Sequence, residues 1–527
     1  MTPVTGGGPA GADPDAMSAA QVGDRISGLT PQKRALLEKK LLELRRRAVD
    51  DSIPRRQPGD PAPLSFSQQR LWFLEQLNPG SPTYNAALAM RITGRLDVAA
   101  LHRALRTVIA RHESLRTTFV VVDGSPEQRV LDEWSTDLPV VDLRGVDAAR
   151  RTAEAAAIMR ERARRPYDLA SDLLLRATVV RTNDEEWLLL IEEHHIAFDG
   201  WSDGILFQEL AEVYDAELEQ RPPVLAELPI QYPDFALWQR RHLTGAVLED
   251  HVAYWRRQLR GAPSTLDLPL DRPRPVRQSY EGAHHFFTLP RAVADAVREL
   301  SQAEGATVFM TLLAAFCTLL YRVTGEDDIL IGTPIANRNR VELEGLIGFF
   351  SNTLVLRTRL GGNPTFRQVI AGARETALGA YAHQDLPFEK VVEAVRPARD
   401  PSVNPLFQVN FRVQSDPAPA LRLGGTSITP VDIDLGFSRF DLALELQVQP
   451  DALRGYFEYN VAIFDLEPIQ RLTDEFANLL GQLVAQPDTP VLAYDLISAA
   501  APAPGHDSRD RRPRIKSFRD RWPATAP

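Results

Sequence analysis

The chain has little of several features that would narrow its class. Its single cysteine, Cys317, excludes an internal disulfide framework and a cysteine-based zinc site. No apolar run approaches the ~18 residues of a membrane span, and residues 1–17 lack the charged and apolar regions of a secretory signal. A formal net charge of −10 excludes a globally basic nucleic-acid-binding surface. We therefore expect a soluble, cytoplasmic protein that binds no metal, membrane or nucleic acid.

What the chain does contain is typical of a large globular protein. Hydrophobic residues make up 44% and charged residues 25% of its 527 positions. Because a domain usually has roughly 100–200 residues, this length indicates several cores or one core built from two large halves. The 40 prolines exceed the average share of about 5%, and part of the excess lies near the two ends.

The pattern along the chain divides it into four parts. We predict a disordered N-terminal extension and linker over residues 1–60, with one helix at about 31–48. An N-terminal lobe over 61–235 and a C-terminal lobe over 236–497 follow, then a disordered basic tail over 498–527. Within the lobes, short strand patterns alternate with helix patterns of about 10–20 residues, which indicates α/β layers.

The densest polar feature is the segment 194–202, at the end of a predicted buried strand. Adjacent residues of a strand point to opposite faces, so His194 and His195 cannot share one role. Asp199 and Gly200 fall in the turn between this strand and the next helix. Because open α/β sheets bind ligands where strands end, this segment is the candidate site.

The same segment permits a second interpretation. Residues 200–204 match G-x-S-x-G, which would make Ser202 the nucleophile of an α/β-hydrolase. No HGGG-type oxyanion segment precedes it, and His383 is the best remaining histidine for a triad. A zinc site is not indicated either, because His194 and His195 are adjacent and lack the H-E-x-x-H spacing.

With these residues in place, the sequence resembles the condensation domains of nonribosomal peptide synthetases. The resemblance covers about residues 60–495 and is most like the peptide-forming members that take an L-configured donor. It rests on seven segments in the order of the family. They are residues 65–74, 111–119, 194–202, 232–238, 347–353, 383–389 and 399–408.

The resemblance implies a fold and a reaction. It implies two chloramphenicol-acetyltransferase-like lobes that form a V-shaped pseudo-dimer with a central tunnel. Donor and acceptor carrier proteins would present substrates on 4′-phosphopantetheine arms, and the enzyme, expected to be a monomer, would hold no cofactor of its own. An acyl or aminoacyl thioester would pass to the amine, or the hydroxyl, of the acceptor. If the chain is complete, it is a free-standing enzyme and a soluble amine or alcohol is a further possible acceptor; if not, it is an excised fragment.

The resemblance also implies residue roles. His195 would be a general base or a positioning group, two alternatives that the sequence leaves open. The Gly200 N–H would face the developing oxyanion. An arginine would hold Asp199. The other implied residues are His194, Trp201 and Ser202 as support for the motif, Arg70, Arg338 and Arg340 as candidate partners of Asp199, and Ser351, Asn352 and Thr353 in the tunnel or its loops.

Two further points bear on activity. Glu193 stands where the family often has an apolar residue, and we expect either a solvated charge at the strand end or a group that adjusts the tunnel. The alternative function is a catalytically silent platform of the same fold that recruits carrier proteins or tailoring enzymes. The intact His195, Asp199 and Gly200 argue against that alternative.

Overall fold

The protein is described by a computed structural model. It describes residues 52–496 except 58, 399, 415–421, 432–435 and 450. The chain divides into two units, residues 1–54 and 55–527, and the architecture below is that of the described residues of the second unit. The predicted helix at about 31–48 and the predicted disordered tail over 498–527 lie outside the described residues.

Helices and strands alternate through the second unit, as the sequence pattern predicts. The helices are α1 (Phe66–Leu77), α2 (Val98–Arg111), α3 (Ala148–Ala163), α4 (Gly200–Glu219), α5 (Tyr232–His242), α6 (Gly245–Gln258), α7 (Arg291–Ala303), α8 (Val308–Thr324), α9 (Val341–Glu344), α10 (Phe366–Ala382), α11 (Phe388–Val395) and α12 (Leu466–Ala485). The strands are β1 (Asn85–Thr93), β2 (Thr117–Val122), β3 (Ser125–Val130), β4 (Val140–Asp142), β5 (Leu175–Arg181), β6 (Glu186–His194), β7 (Gly282–Pro290), β8 (Asp328–Ile335), β9 (Asn352–Arg359), β10 (Val409–Gln414), β11 (Ser427–Val431), β12 (Leu442–Val448) and β13 (Ala452–Asn460).

The first sheet has the strand order β11-β1-β6-β5-β4, which makes β6 its central strand. Alternate residues of β6 pack against different helices, as the period of two requires. Leu189 and Ile191 belong to the cluster that includes residues of α2 and α4. Leu188 and Leu190 pack with residues of α3 on the other face. Apolar cover on both faces holds the end of β6, and therefore His194 and His195, in a fixed position.

The second sheet has the order β7-β13-β12-β10-β8-β9. One face is apolar and packs in the largest core of the described residues, together with side chains of α7, α8, α10 and α12. The other face carries polar side chains in register, because Arg412 pairs with Glu445 and Glu445 with Tyr456 across three strands. This polar face was not predicted, although the alternation of apolar and polar residues in β10 and β12 is the sequence signal for it.

The two sheets are joined by a crossover. Strand β11 comes from the C-terminal part of the chain, yet it pairs antiparallel with β1, with Val431 opposite Ala89 and Ser427 opposite Thr93. The boundary predicted between residues 235 and 236 falls inside α5. The lobe limits stay a prediction, but the first sheet takes strands from both sides of them.

Among the described helices, none alone is long and apolar enough to cross a membrane. Taken together, α7 and α8 are long and apolar enough by length and composition, but the pair is bent by 107°. Residues 310–320 of α8 are all buried within the protein.

Candidate active site

The histidine segment begins where β6 ends. Asn85 of β1 pairs with His194, and the His195 N–H donates to the carbonyl oxygen of Tyr84 at 2.9 Å, which extends the ladder by one residue. A turn follows, and Asp199 caps α4 by accepting from the Ser202 N–H at 3.0 Å. A strand end and a helix start therefore fix the two ends of the segment.

His194 is a buried structural imidazole. Its Nδ1 accepts a hydrogen bond from the Ile196 N–H at 3.1 Å, and its ring meets the edge of Tyr167 at 5.8 Å between centroids. Burial lowers the pKa of His194 to about 3, so the ring is neutral at physiological pH. The supporting role that the resemblance implies for His194 stays a prediction.

His195 is half-buried and lies on the opposite face of the strand end. Its Nδ1 is 3.4 Å from the carbonyl oxygen of Phe198. Because a carbonyl only accepts, this contact assigns the proton to Nδ1 and leaves the Nε2 lone pair available. Burial, followed by the positive charge of Arg439, holds the pKa of His195 well below its usual range. The residue is thus a neutral imidazole with a free acceptor nitrogen.

Asp199 is the most heavily bonded side chain of the segment. Besides the α4 cap, its Oδ1 accepts from the Ser202 hydroxyl at 2.8 Å and from Arg338 at 2.9 Å. Its Oδ2 accepts from the N–H groups of Phe350 at 3.0 Å and Ser351 at 3.2 Å. Both members of the Asp199–Arg338 pair are 1% exposed at the side chain. The carboxylate therefore ties the histidine segment to a loop of the C-terminal half.

Of the three candidate arginines, only Arg338 donates a hydrogen bond to Asp199. Arg338 also donates to the carbonyl oxygens of Leu343 and Leu346. Arg70 instead lies 3.5 Å from Glu389 and over the ring of Phe388. Arg340 lies over the ring of Trp238.

Residues 347–351, here called the bridging segment, are held by polar groups from the N-terminal half. Ser114 donates to the Ile347 carbonyl at 2.7 Å, and Tyr232 donates to the Phe349 carbonyl at 2.7 Å. Ser202 accepts from the Gly348 N–H at 3.1 Å. Four of the seven sequence segments therefore converge at this one place.

The hydrolase interpretation of Ser202 is wrong. The Ser202 side chain is fully buried and its oxygen is occupied by Asp199, Arg338 and Gly348. His383 lies elsewhere, stacked on Tyr254 at 3.9 Å between ring centroids. Neither the accessibility nor the base that a serine nucleophile needs is present.

The remaining predicted residues have distinct surroundings. Gly200 is exposed, and a Cβ placed there would meet no other atom within 4 Å, so open space lies beside it. Trp201 is 48% exposed and donates from its indole nitrogen to the Glu344 carbonyl at 3.0 Å. Asn352 is buried and donates to the carbonyls of Gln384 and Leu386, both at 2.8 Å. Asn352 therefore supports the 383–389 segment, and Thr353 beside it is half-buried in β9.

The burial of Glu193 contradicts the expectation that it is a solvated charge. It is 3% exposed and is therefore not a solvated charge at the strand end. Its side chain is hydrogen-bonded to that of Asp203 in the first turn of α4. Among the described residues, no group of three or more His, Cys, Asp or Glu side chains is arranged to hold a metal ion.

The fold and this site define the class as a two-lobed acyltransferase-like α/β protein of the chloramphenicol-acetyltransferase type. The chain is similar to the X-domain in the complex of the X-domain and OxyB from teicoplanin biosynthesis, with TM-score 0.77, 28% identity, and coverage of 85% of this chain and 98% of that chain. The chain is also similar in fold to the first condensation domain of the calcium-dependent antibiotic synthetase. The TM-score is 0.72 and the identity is 23%, and the match covers 84% of this chain and 100% of that chain.

The family follows from the sequence comparison. The condensation domain family matches residues 59–503, and the chain belongs to it. A linear gramicidin synthase of Brevibacillus parabrevis is 47% identical over 438 residues, which cover 83% of this chain and 8% of that protein. The chain therefore spans less than a tenth of the length of this relative. The family resemblance drawn from the seven segments is confirmed.

Proposed function

We propose that the protein forms an amide bond by passing an acyl or aminoacyl group from a carrier-bound thioester to the amine of an acceptor, with His195 as the central residue. The observation that supports this most directly is the neutral, half-buried imidazole of His195 with its Nε2 lone pair free. An imidazole in that state can accept a hydrogen bond from the attacking amine, and it can take the proton of the strongly acidic nitrogen that exists once the C–N bond has formed.

The reaction requires a group that stabilises the oxyanion and a group that moves the proton of the attacking amine. The acceptor nitrogen attacks the thioester carbonyl and forms the C–N bond, and the carbonyl oxygen gains negative charge. Gly200 is the first residue of α4, so its N–H has no partner within the helix and is suited to that oxygen. The nitrogen then loses a proton to His195 Nε2, and the C–S bond breaks as that proton reaches the leaving sulfur.

The residues around His195 act by holding the histidine segment in place. Asp199 and Arg338 hold the histidine segment against the bridging segment, and His194, Trp201 and Ser202 fix its two sides. Positioning of reacting groups accounts for as much as ~7–11 kcal/mol of a barrier in favourable cases. His195 therefore contributes as base and as positioning group together.

The partners follow from the reaction. We propose that donor and acceptor carrier proteins in the cytoplasm present their substrates on 4′-phosphopantetheine, from opposite mouths of a tunnel between the lobes, to a monomeric enzyme. Ser351 and Thr353 would lie near that tunnel. The donor is proposed to be L-configured, and a hydroxyl acceptor would give an ester by the same steps.

A mass-spectrometric assay tests the proposal. The protein is incubated with acyl- or aminoacyl-loaded donor carriers and aminoacyl-loaded acceptor carriers, and acyl transfer is read as the mass of the acceptor. We expect product with at least one pair, and a loss of about 10²–10⁴-fold in rate for His195→Ala. His285→Ala, a histidine of β7 outside this segment, serves as the control. Absence of product across a wide panel, or an unaffected His195→Ala rate, contradicts the proposal.

The similarity to the X-domain favours one second candidate. That X-domain was solved in complex with OxyB, and the corresponding function here is a platform that recruits a tailoring enzyme or carriers without acyl transfer. Binding of loaded carriers with no product in the same assay supports the platform. Product that depends on His195 excludes it as the sole function.

A further inference from the structure

The side chain of Arg439 reaches from the C-terminal half of the chain to the strand end that carries His195. Its Nε donates to the carbonyl oxygen of Thr83 at 3.4 Å, and its guanidinium carbon lies 5.7 Å from the centroid of the Tyr84 ring. The carbonyl oxygen of Tyr84 accepts the His195 N–H at 2.9 Å. Tyr84 therefore lies against Arg439 with its ring and against His195 with its main chain.

The main chain of Arg439 is fixed by three hydrogen bonds. Its N–H donates to Glu458 Oε1 at 3.3 Å, and its carbonyl oxygen accepts from the side-chain amides of Gln278 at 3.0 Å and Asn404 at 2.7 Å. Because the backbone is held, less conformational freedom is left to lose when the side chain binds a ligand.

The two terminal nitrogens of Arg439 have no hydrogen-bond or ion-pair partner within the part of the chain that the structure describes. Glu458 is the acid whose charge acts most on Arg439, but its oxygens meet the Arg439 N–H and the ring of His284, the latter at 3.5 Å. Neither terminal nitrogen is enclosed by protein atoms. An arginine offers parallel N–H donors that match a carboxylate, so this free edge is suited to such a group.

Open space borders this arginine on the side of the second sheet. Arg412 belongs to β10, which lies inside that sheet between β12 and β8, yet its side chain is 53% exposed. The polar face of the sheet is therefore not covered by a packed layer at this point. After burial, the positive charge of Arg412 lowers the pKa of both His195 and Arg439, so the three groups lie near one another.

The charges around Arg439 favour an additional anion. Burial lowers the pKa of Arg439; the negative charge of Glu458 opposes this shift, and the positive charges of Arg412 and Arg70 add to it. Arg412 and Arg70 each have a glutamate of their own within 4 Å. Of these three arginines, Arg439 is the one without an ion-pair partner among the described residues. A carboxylate on its free edge would offset the cost of burying the guanidinium.

Building on the proposed function, we propose that Arg439 binds a carboxylate on one of the two substrates and makes the protein selective for an acidic acyl or aminoacyl group. The carboxyl group that forms the thioester carries no charge, so the anion is a second carboxylate, as in a glutamyl or dicarboxylic acyl group. The phosphate of a carrier arm lies at the opposite end of that arm from the thioester and is remote from His195 when the thioester reacts there. Donor and acceptor both reach His195, so either can carry the carboxylate.

Substrates that differ by one charge test the inference in two arms. In the first arm the donor carrier bears a glutamyl or a glutaminyl group, and the acceptor carrier bears a neutral aminoacyl group. In the second arm the acceptor carries the glutamyl or glutaminyl group and the donor is neutral. Arg439→Gln removes the positive charge. Arg91→Gln is the control, because Arg91 lies towards the other end of β1 in an exposed ion pair with Glu186.

In one arm, we expect the unaltered protein and Arg91→Gln to favour the glutamyl over the glutaminyl substrate by about 10–100-fold in kcat/KM at pH 7.5, the range for a hydrogen bond to a charged group. Arg439→Gln should abolish this preference, through a higher KM for the glutamyl substrate. A lysyl substrate keeps the test decisive if Arg439→Gln does not fold. The unaltered protein should use it less well than the glutaminyl substrate in the same arm, because like charges repel.

Several results would overturn the inference. The unaltered protein could show no preference among the glutamyl, glutaminyl and lysyl substrates in either arm. The preference could persist in Arg439→Gln, or both rates could fall equally there, which would make Arg439 a support for the histidine segment. Absence of product with the unaltered protein, for every donor and acceptor, contradicts the proposed function itself.

Discussion

At the scale of single residues, one carboxylate connects the histidine segment to the rest of the protein. Asp199 accepts five hydrogen bonds, from the Ser202 N–H and hydroxyl, from Arg338 and from the N–H groups of residues 350 and 351. Such a group acts on stability and on rate together, because removing it both leaves charge unpaired and releases the segment that holds His195.

The first prediction concerns Asp199→Ala. The substitution leaves the Arg338 guanidinium buried without its carboxylate, and breaking a buried pair from one side typically costs about 3–5 kcal/mol. We expect a loss of that order in the free energy of unfolding, measured by urea denaturation at pH 7.5. Asp142→Ala is the matched control, because Asp142 pairs with Arg144 at the exposed surface, where losing one partner of an ion pair changes stability little. Equal stability of the two variants would show that the Asp199 network is energetically unimportant.

A second prediction concerns acid. The pKa of histidine in an unfolded chain is about 6.5, whereas burial lowers the pKa of His194 to about 3. Between these values the unfolded chain binds a proton that the folded chain does not. The contribution of His194 therefore weakens the fold as pH falls from about 6.5 towards 3, by up to ~1.4 kcal/mol per pH unit, and is absent above 6.5.

His194→Gln tests this dependence. The Gln amide oxygen can replace Nδ1 as acceptor for the Ile196 N–H, and it does not titrate. We expect the variant to lose less stability than the unaltered protein between pH 6.5 and 4.5, in urea midpoints measured at several pH values. Parallel curves for the two proteins would contradict the lowered pKa.

The sequence predicts only some of the roles and contacts of the individual site residues. The opposite roles of His194 and His195 follow from the alternation of a strand, and the structure places them on opposite faces. The partner of Asp199 could be narrowed to three arginines and no further, because Arg338 lies 139 positions away and no local period encodes a contact of that range. The Glu193–Asp203 pair was missed for a different reason: the two residues are near in sequence, but a turn separates β6 from α4, and neither the strand period nor the helix period extends across it.

At the scale of elements, the bridging segment depends on a glycine for close packing. A Cβ at Gly348 would clash with the rings of Tyr232 and Phe350. Tyr232 is itself buried and packs against Phe350 at 4.8 Å between ring centroids. The glycine therefore allows residues 347–351 to approach α5 and reach Asp199.

The third prediction follows from this packing. Gly348→Ala should destabilise the protein by about 1–3 kcal/mol, the usual cost of overpacking a core, and should lower the transfer rate because the bridging segment moves away from Asp199. Gly372→Ala is the control, since a Cβ there meets nothing within 4 Å and alanine favours the interior of α10 by about 0.5–1 kcal/mol. Thermal unfolding and the carrier assay give the two measurements. A Gly348→Ala protein that matches the control in both would contradict this account of the segment.

Regular elements were the most predictable part of the fold. The apolar pattern predicts a strand over residues 117–122 and a helix over 308–323, and the structure has β2 at the former and α8 at 308–324. The pairing of β11 with β1 was not predicted, because β1 lies more than 330 positions earlier in the chain and the residues of β11 are exposed or half-buried. Local periodicity reports burial of one face, and β11 buries little.

At the scale of the whole molecule, two connections make the lobes mechanically dependent on each other. One is the bridging segment, held by the N-terminal half. The other is the crossover that adds β11 to the edge of the first sheet beside β1. A site assembled from both lobes keeps its geometry only while both connections hold, so a change in the crossover is expected to reach the end of β6 through β1.

The last prediction tests the crossover through Gly424, which precedes β11. Gly424 has φ of 56°, and a Cβ there would lie 2.6 Å from Leu218 Cδ1 and 2.9 Å from Tyr214 Cε1 on α4. Gly424→Val should therefore combine backbone strain with a clash against α4 and release β11. Hydrogen–deuterium exchange should increase in β11 and along β1, while α8 stays protected. Gly425→Val separates the two causes, because Gly425 also has positive φ but a Cβ there meets nothing within 4 Å. If a folded Gly424→Val protein exchanges like the unaltered one in both strands, the crossover does not hold the first sheet, and the coupling of the lobes must rest on the bridging segment alone.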